Sequence, residues 1–120
     1  MNTYIHSTIS VDGWHRWQNA PKPRQEYLSV RHRHTFKITA TVEVHHDDRA
    51  VECFDLADAL RQLVEAMWKP TAPDNLADFG DYSCEQIAKR LFCCLALSYE
   101  KICCVTVLED GLNGASIDVR

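Results

Sequence analysis

The chain has 120 residues, 46% of them hydrophobic and 25% charged, an ordinary globular balance. It argues for a single domain over 1–120 with one core, and against disorder or a fibrous repeat. With 13 basic and 17 acidic residues the formal net charge is -4, which gives no electrostatic reason to expect a nucleic-acid backbone as partner.

The first strand is predicted over residues 4–11, where Ile5, Ser7, Ile9 and Val11 share one face and Tyr4, His6, Thr8 and Ser10 the other. Residues 12–30 carry Gly13, Pro21 and Pro23 and two tryptophans. They are expected to form a long ordered loop that packs down on the body of the protein. The clearest strand is 32–45: Phe36, Ile38, Ala40, Val42 and Val44 alternate with Lys37, Thr39, Thr41 and Glu43, with β-branched enrichment. A turn at His46, Asp47 and Asp48 is predicted to lead into a second strand over 50–54, making a β-hairpin.

Asp55 is the expected N-cap of a helix reaching Trp68, with Leu56, Leu60, Leu63, Val64 and Met67 on its apolar stripe. Residues 69–82, with two prolines, a glycine and three acidic residues, read as loop. Ser83 and Gln86 form an S-x-x-Q capping box that opens a second helix, whose buried stripe is Ile87, Ala88, Leu91, Cys94 and Leu95. An apolar strand over 101–109, a turn over 111–114 and a closing strand over 115–119 complete the chain. Strands at both ends with helices grouped between them predict an α+β fold, an antiparallel sheet with both helices on one face.

The six cysteines are Cys53, Cys84, Cys93, Cys94, Cys103 and Cys104, with no C-x-x-C pair. Four are sequence neighbours, poorly placed to bridge each other. The N-terminal residues have neither a basic segment nor an apolar run, and no run of 18 apolar residues exists to span a membrane. A reducing cytoplasm is expected, with most thiols acting as small buried hydrophobes.

Six histidines are present. His32 and His34, one residue apart on a strand, lie on one face roughly 6–7 Å from each other. They share parity with Phe36 and Ile38, so they extend the buried face. Two neutral imidazoles there leave donors and acceptors unpaired unless something satisfies them. A metal does so, with ligand distances of about 2.0–2.1 Å; paired surface histidines are the alternative. His15, in the segment WHRW, is the best third ligand. Three nitrogens leave the fourth tetrahedral position of a zinc ion open, the arrangement of a reactive site. His45 and His46, beside two aspartates, read as solvated turn residues, and His6 as packing beside the first strand.

From His15 onward the sequence resembles the 6-pyruvoyltetrahydropterin synthase and 6-carboxytetrahydropterin synthase family. The resemblance lies in a loop histidine, an H-x-H opening a long strand (HRHTFKITATVEV), a segment running into a helix (VECFDLADALRQLV), the helix start SCEQIAKRL and the apolar strand VTVLED. It implies a tunnelling fold that closes into a barrel as a homotrimer or homohexamer, with zinc on His15, His32 and His34. It also implies that Glu109 grips the guanidine-like edge of a pterin and that Ser83 sits beside it. A carboxylate accepts two parallel N–H bonds from such a 2-amino-4-oxo heterocycle. The bland alternatives are a surface turn residue for Glu109 and a pure helix cap for Ser83.

The departures from the family are equally specific. Leu28 and Ser29 stand where the family carries a cysteine, and no histidine follows His46, so the Asp-His pair after the first helix is missing. Arg33 replaces the usual glycine between the zinc histidines, and Glu52 the usual aspartate at the helix start. Two functions follow. One is a zinc-dependent carbon-oxygen lyase acting on a pterin or related purine-derived heterocycle, with Asp78, Asp81 or a thiol such as Cys84 as base. The other is a binding protein that sequesters a pterin, guanine-like base or nucleotide without turnover. Arg31, Arg33 and Lys37, on the strand face opposite the histidines, could meet phosphates there, or form an ordinary solvated face.

Overall fold

A computed structural model describes residues 1–70 and 74–120. Its elements are strands β1 (Thr3–His15) and β2 (His32–Val44), helix α1 (Cys53–Met67), the two-residue strand β3 (Ala77–Asp78), helix α2 (Cys84–Leu95), and strands β4 (Ile102–Glu109) and β5 (Asn113–Asp118). The sheet order is β3-β1-β2-β4-β5. All pairings are antiparallel except the short β1–β3 contact. Both helices pack into the one hydrophobic core, so the α+β architecture is as the alternation pattern predicts.

That pattern works because β2 is central. Phe36, Ile38, Ala40, Val42 and Val44 all turn into the core, and Lys37 and the polar residues of the other parity face away. Helix α1 buries Leu56, Ala57, Leu60 and Val64. Helix α2 buries Cys84, Ile87, Ala88, Leu91 and Leu95, while Cys94 is half-buried. All six cysteines are free thiols.

Three predicted boundaries are corrected. First, β1 runs four residues further than expected and pairs with β2 without a break from Thr3↔Val44 to His15↔His32. Gly13 is a packing residue rather than a breaker: a Cβ there would lie 2.6 Å from Cε2 of Phe79, so only glycine lets that ring close over the strand. His15 is therefore a strand residue, not a loop residue.

Second, no strand forms over 50–54. Both edges of β2 are taken by β1 and β4, which leaves no hydrogen-bonding edge for a hairpin partner. Instead Glu52 caps α1, its carboxylate accepting from the N–H groups of Phe54 and Asp55 at 3.0 and 2.9 Å. Asp55 thus lies in the first turn and is not the cap. Third, the predicted loop over 69–82 contains β3, which hydrogen-bonds to the end of β1; residues 71–73 of that loop lie outside the described residues. Among the described residues no helix is long and apolar enough to cross a membrane.

Candidate metal and ligand site

The histidines converge because of register. His15 and His32 are direct partners across β1 and β2, and His34 pairs with Gly13 two residues along. Period two therefore puts three imidazoles on the core side of the sheet at one end. Their ring centroids lie 4.7 Å (His15–His32), 5.3 Å (His15–His34) and 5.0 Å (His32–His34) apart. One ligand nitrogen from each lies within 4.8 Å of the others.

The backs of the rings decide which nitrogen is free. Nδ1 of His15 lies 3.0 Å from the Tyr82 carbonyl, Nδ1 of His32 2.8 Å from the Val30 carbonyl, and Nδ1 of His34 2.7 Å from Oδ2 of Asp110. Each of these partners only accepts, so each Nδ1 carries the proton and donates it. In the neutral ring, Nε2 then holds a bare lone pair. Nε2 of His15 and of His34 are both buried without a hydrogen bond. Imidazoles held from behind in one tautomer, with naked nitrogens converging, are what a metal centre requires. Ligand nitrogens of a tetrahedral zinc site lie ~3.3 Å apart, and these three lie within 4.8 Å of one another.

Glu109 ends β4 directly opposite Phe36, which brings its carboxylate to the same place. Oε1 lies 3.2 Å from Nε2 of His15 and Oε2 3.5 Å from Nε2 of His34. Closeness to His15, partly opposed by burial and assisted by His34, holds Glu109 below the usual carboxylate range. Burial disfavours the charged form of His15, but Glu109 and the Tyr82 carbonyl outweigh it and the net shift is upward. His34 together with the Thr35 N–H lowers Asp110.

Beside the imidazoles opens a cavity of about 520 Å³, lined among others by His15, His32, Leu28, Ser83, Cys84 and Glu109. Ser83 does what the bland reading expected: its hydroxyl accepts from the Gln86 N–H at 3.2 Å while the Gln86 side chain accepts from the Ser83 N–H at 2.9 Å. It also lines the cavity, so the cap and a ligand contact are compatible. Ser83→Ala should lower stability by about 1 kcal/mol, read by urea denaturation. An unchanged midpoint would show that the capping box contributes nothing.

The candidate bases fare differently. Cys84 is buried, and its thiol lies 3.6 Å from Oε1 of Glu109. Burial first, then the Glu109 charge, pushes it up to about 12, so it is an S–H donor to Glu109 and no thiolate at neutral pH. Asp81 lines the cavity but takes Nε of Arg16 at 3.1 Å. Asp78 lies outside it, 3.7 Å from Arg31, whose guanidinium stacks 4.5 Å above Trp14. Leu28 reaches the cavity wall, whereas the Ser29 hydroxyl is spent on the Glu26 carbonyl at 2.6 Å. Arg33 and Lys37 are exposed. His45 and His46 are exposed at the turn, and His6 contacts the Thr41 hydroxyl at 2.9 Å.

Sequence reasoning missed Asp110, which fixes His34 and also accepts from the Thr35 N–H at 3.0 Å. The only hint was an acidic residue placed between Glu109 and a glycine turn.

The fold has solved counterparts. The structure of 6-pyruvoyl tetrahydropterin synthase from Caenorhabditis elegans superposes with a TM-score of 0.64 at 15% identity, covering 100% of this chain and 97% of that one. This chain has the fold of a 6-pyruvoyl tetrahydropterin synthase. An uncharacterised protein from Wolinella succinogenes, WS1659, matches with a TM-score of 0.69 at 13% identity over 100% of this chain and 99% of its own. Both likenesses are distant. No family profile matches the sequence, and neither does any curated protein.

Proposed function

We propose that this protein holds a zinc ion on His15, His32 and His34 and receives a pterin or related 2-amino-4-oxo heterocycle in the adjoining cavity, gripped by Glu109 and flanked by Ser83. The observation that carries this reading is the set of three imidazoles whose Nδ1 groups are all committed to acceptors while their other nitrogens converge beside a cavity. A zinc ion there would act as a Lewis acid on a substrate oxygen. The Glu109 carboxylate, half-buried at the cavity edge, offers two oxygens to two adjacent N–H groups. The free thiols support a reducing, cytoplasmic setting.

Catalysis as a 6-pyruvoyl- or 6-carboxytetrahydropterin synthase is expected to be poor, and the alternative of a binding protein without turnover is favoured by a specific observation. Leu28 lines the wall, and Cys84, Asp81 and Ser29 each have another commitment. A positioned acid or base typically supplies about 10²–10⁴ in rate, and neither Cys84 nor Asp81 is free to act as one. Assembly into a homotrimer or homohexamer is proposed on the sheet's edges: β3 covers only Gly13 and Trp14 of β1, and β5 has no outer partner among the described residues. Exposed edges invite pairing between copies.

Calorimetry with pterin, guanine and their deaza analogues, together with an assay of dihydroneopterin triphosphate turnover, tests the proposal. Binding of at least one compound with turnover far below that of a working synthase is the expected result. No affinity for any of them would overturn the ligand class; efficient turnover would overturn the claim of a crippled site. Light scattering should find a multiple of 13.8 kDa, and a sharp monomer would refute the assembly.

A further inference from the structure

The contact between Glu109 and the histidines has the wrong polarity for what it joins. Nδ1–H of His15 is given to Tyr82 and Nδ1–H of His34 to Asp110. The Nε2 atoms, left with bare lone pairs, therefore lie 3.2 and 3.5 Å from carboxylate oxygens, acceptor beside acceptor. Neither Nε2 makes a hydrogen bond, so no N–H is aimed along these contacts. Relieving them with protons would need two imidazolium ions side by side, each ring donating at both ends. A single cation between the groups relieves all of them at once.

The distances agree. Ligands of a tetrahedral zinc ion at about 2.0–2.1 Å lie about 3.3–3.4 Å from one another, and Glu109 sets Oε1 3.2 Å from His15 and Oε2 3.5 Å from His34, each oxygen near that distance from one ring. A carboxylate meant only for a heterocycle across the cavity has no reason to approach two metal-ligating nitrogens this closely. The same Oε1 also accepts from the Cys84 thiol at 3.6 Å, and metal-bound carboxylates are commonly hydrogen-bonded in this way.

We propose that Glu109 is the fourth ligand of the metal in the ligand-free protein, and that a 2-amino-4-oxo heterocycle binds by drawing this carboxylate off the metal. This rests on the metal reading above and goes beyond it. The site is then closed at rest and opens a coordination position only when the heterocycle is present. A neighbouring oxygen of that ligand, or water, fills the vacated position. No bond of the heterocycle is made or broken in the exchange.

The test uses cobalt in place of zinc, because its visible absorption reports the number and kind of ligands. Wild type and Glu109→Gln are loaded with cobalt, their spectra compared, and each is titrated with unsubstituted pterin, whose binding calorimetry follows independently. The Glu109→Gln spectrum should differ from wild type before any pterin is added. Pterin should shift the wild-type spectrum and leave that of Glu109→Gln unchanged. Zinc affinity, read by competition with a chromophoric chelator, should fall by at least about tenfold in Glu109→Gln, since even groups that only hold a ligand from behind are worth about 10–100-fold. Glu109→Asp keeps the charge but draws the carboxylate back by one bond, and should lose affinity too if ligation rather than charge is responsible.

Identical spectra and zinc affinities in wild type and Glu109→Gln would overturn ligation by Glu109 while leaving the three-histidine centre standing. A wild-type spectrum unmoved by bound pterin would overturn the exchange. Wild type that takes up no cobalt would overturn the centre itself and this assignment with it. Thermal melts on the same samples show whether each variant is folded.

Discussion

Replacing His32 and His34 together by alanine should abolish metal binding, and elemental analysis of wild type and variant decides it. Wild type should carry about one zinc per chain, the stoichiometry of one tetrahedral site; the double variant should carry none. The two imidazoles come from adjacent same-face positions on β2, and of the four ligands proposed above their loss leaves His15 and Glu109. The fold should survive, because both rings are only half-buried and lie at the end of the core rather than in its middle. Stability supplies a second readout. A metal that binds only the native state adds RT ln(1 + [L]/Kd), about 4 kcal/mol at a thousand times Kd. Zinc should therefore raise the melting temperature of wild type, chelator should reverse the effect, and the double variant should respond to neither. Full zinc retention in the double variant would sink the metal assignment.

The histidine site was partly legible because it is written in a strand. Period two fixes the facing of His32 and His34 without reference to anything distant, and the parity shared with Phe36 and Ile38 tells which side they face. His15 does lie beside the other two rings, but it is a strand residue and not the loop residue expected. It was read as a loop residue, since Gly13, Pro21 and Pro23 marked residues 12–30 as loop. What places it is cross-strand pairing with His32, and pairing partners are not visible in a single sequence. The same limit explains the false strand over 50–54: its apolar residues are real, but the edge it would need is occupied by β1.

Glu109 shows a different limit. Its side-chain chemistry was evident, but its distance from the histidines depends on the β2–β4 register, which sets Glu109 opposite Phe36. Nothing in local spacing predicts that a residue at position 109 meets residues at 15 and 34. Asp110 was invisible for the same reason. The capping box, by contrast, spans four residues and is fully local, and it forms as the sequence predicts. Legibility thus followed sequence separation: period and caps could be read, and register could not.

Phe36→Ala should be the most damaging single substitution. Phe36 is fully buried on the central strand. Its ring centroid lies 5.1 Å from that of His15, 5.8 Å from that of His34 and 4.6 Å from that of Phe79. It is thus at once a core residue and the floor on which two of the three histidines lean. Deleting such a ring removes its burial and leaves a cavity, together about 3–5 kcal/mol, a large share of the roughly 5–15 kcal/mol that holds a domain folded. At this chain length the melting temperature should drop by roughly 10–20 °C. Metal affinity should fall as well, because His15 and His34 lose the wall that limits their rotation and must be ordered on binding. Phe36→Leu separates the two effects: it refills most of the volume and should cost far less stability, yet it still removes the flat faces against which the imidazoles sit edge-on. A weakened metal site in a nearly wild-type Phe36→Leu melt is the expected pattern. If Phe36→Ala melts within about 2 °C of wild type, far less than ring deletion from a packed core allows, then Phe36 is not packed as described. The shared floor beneath core and site would then be wrong.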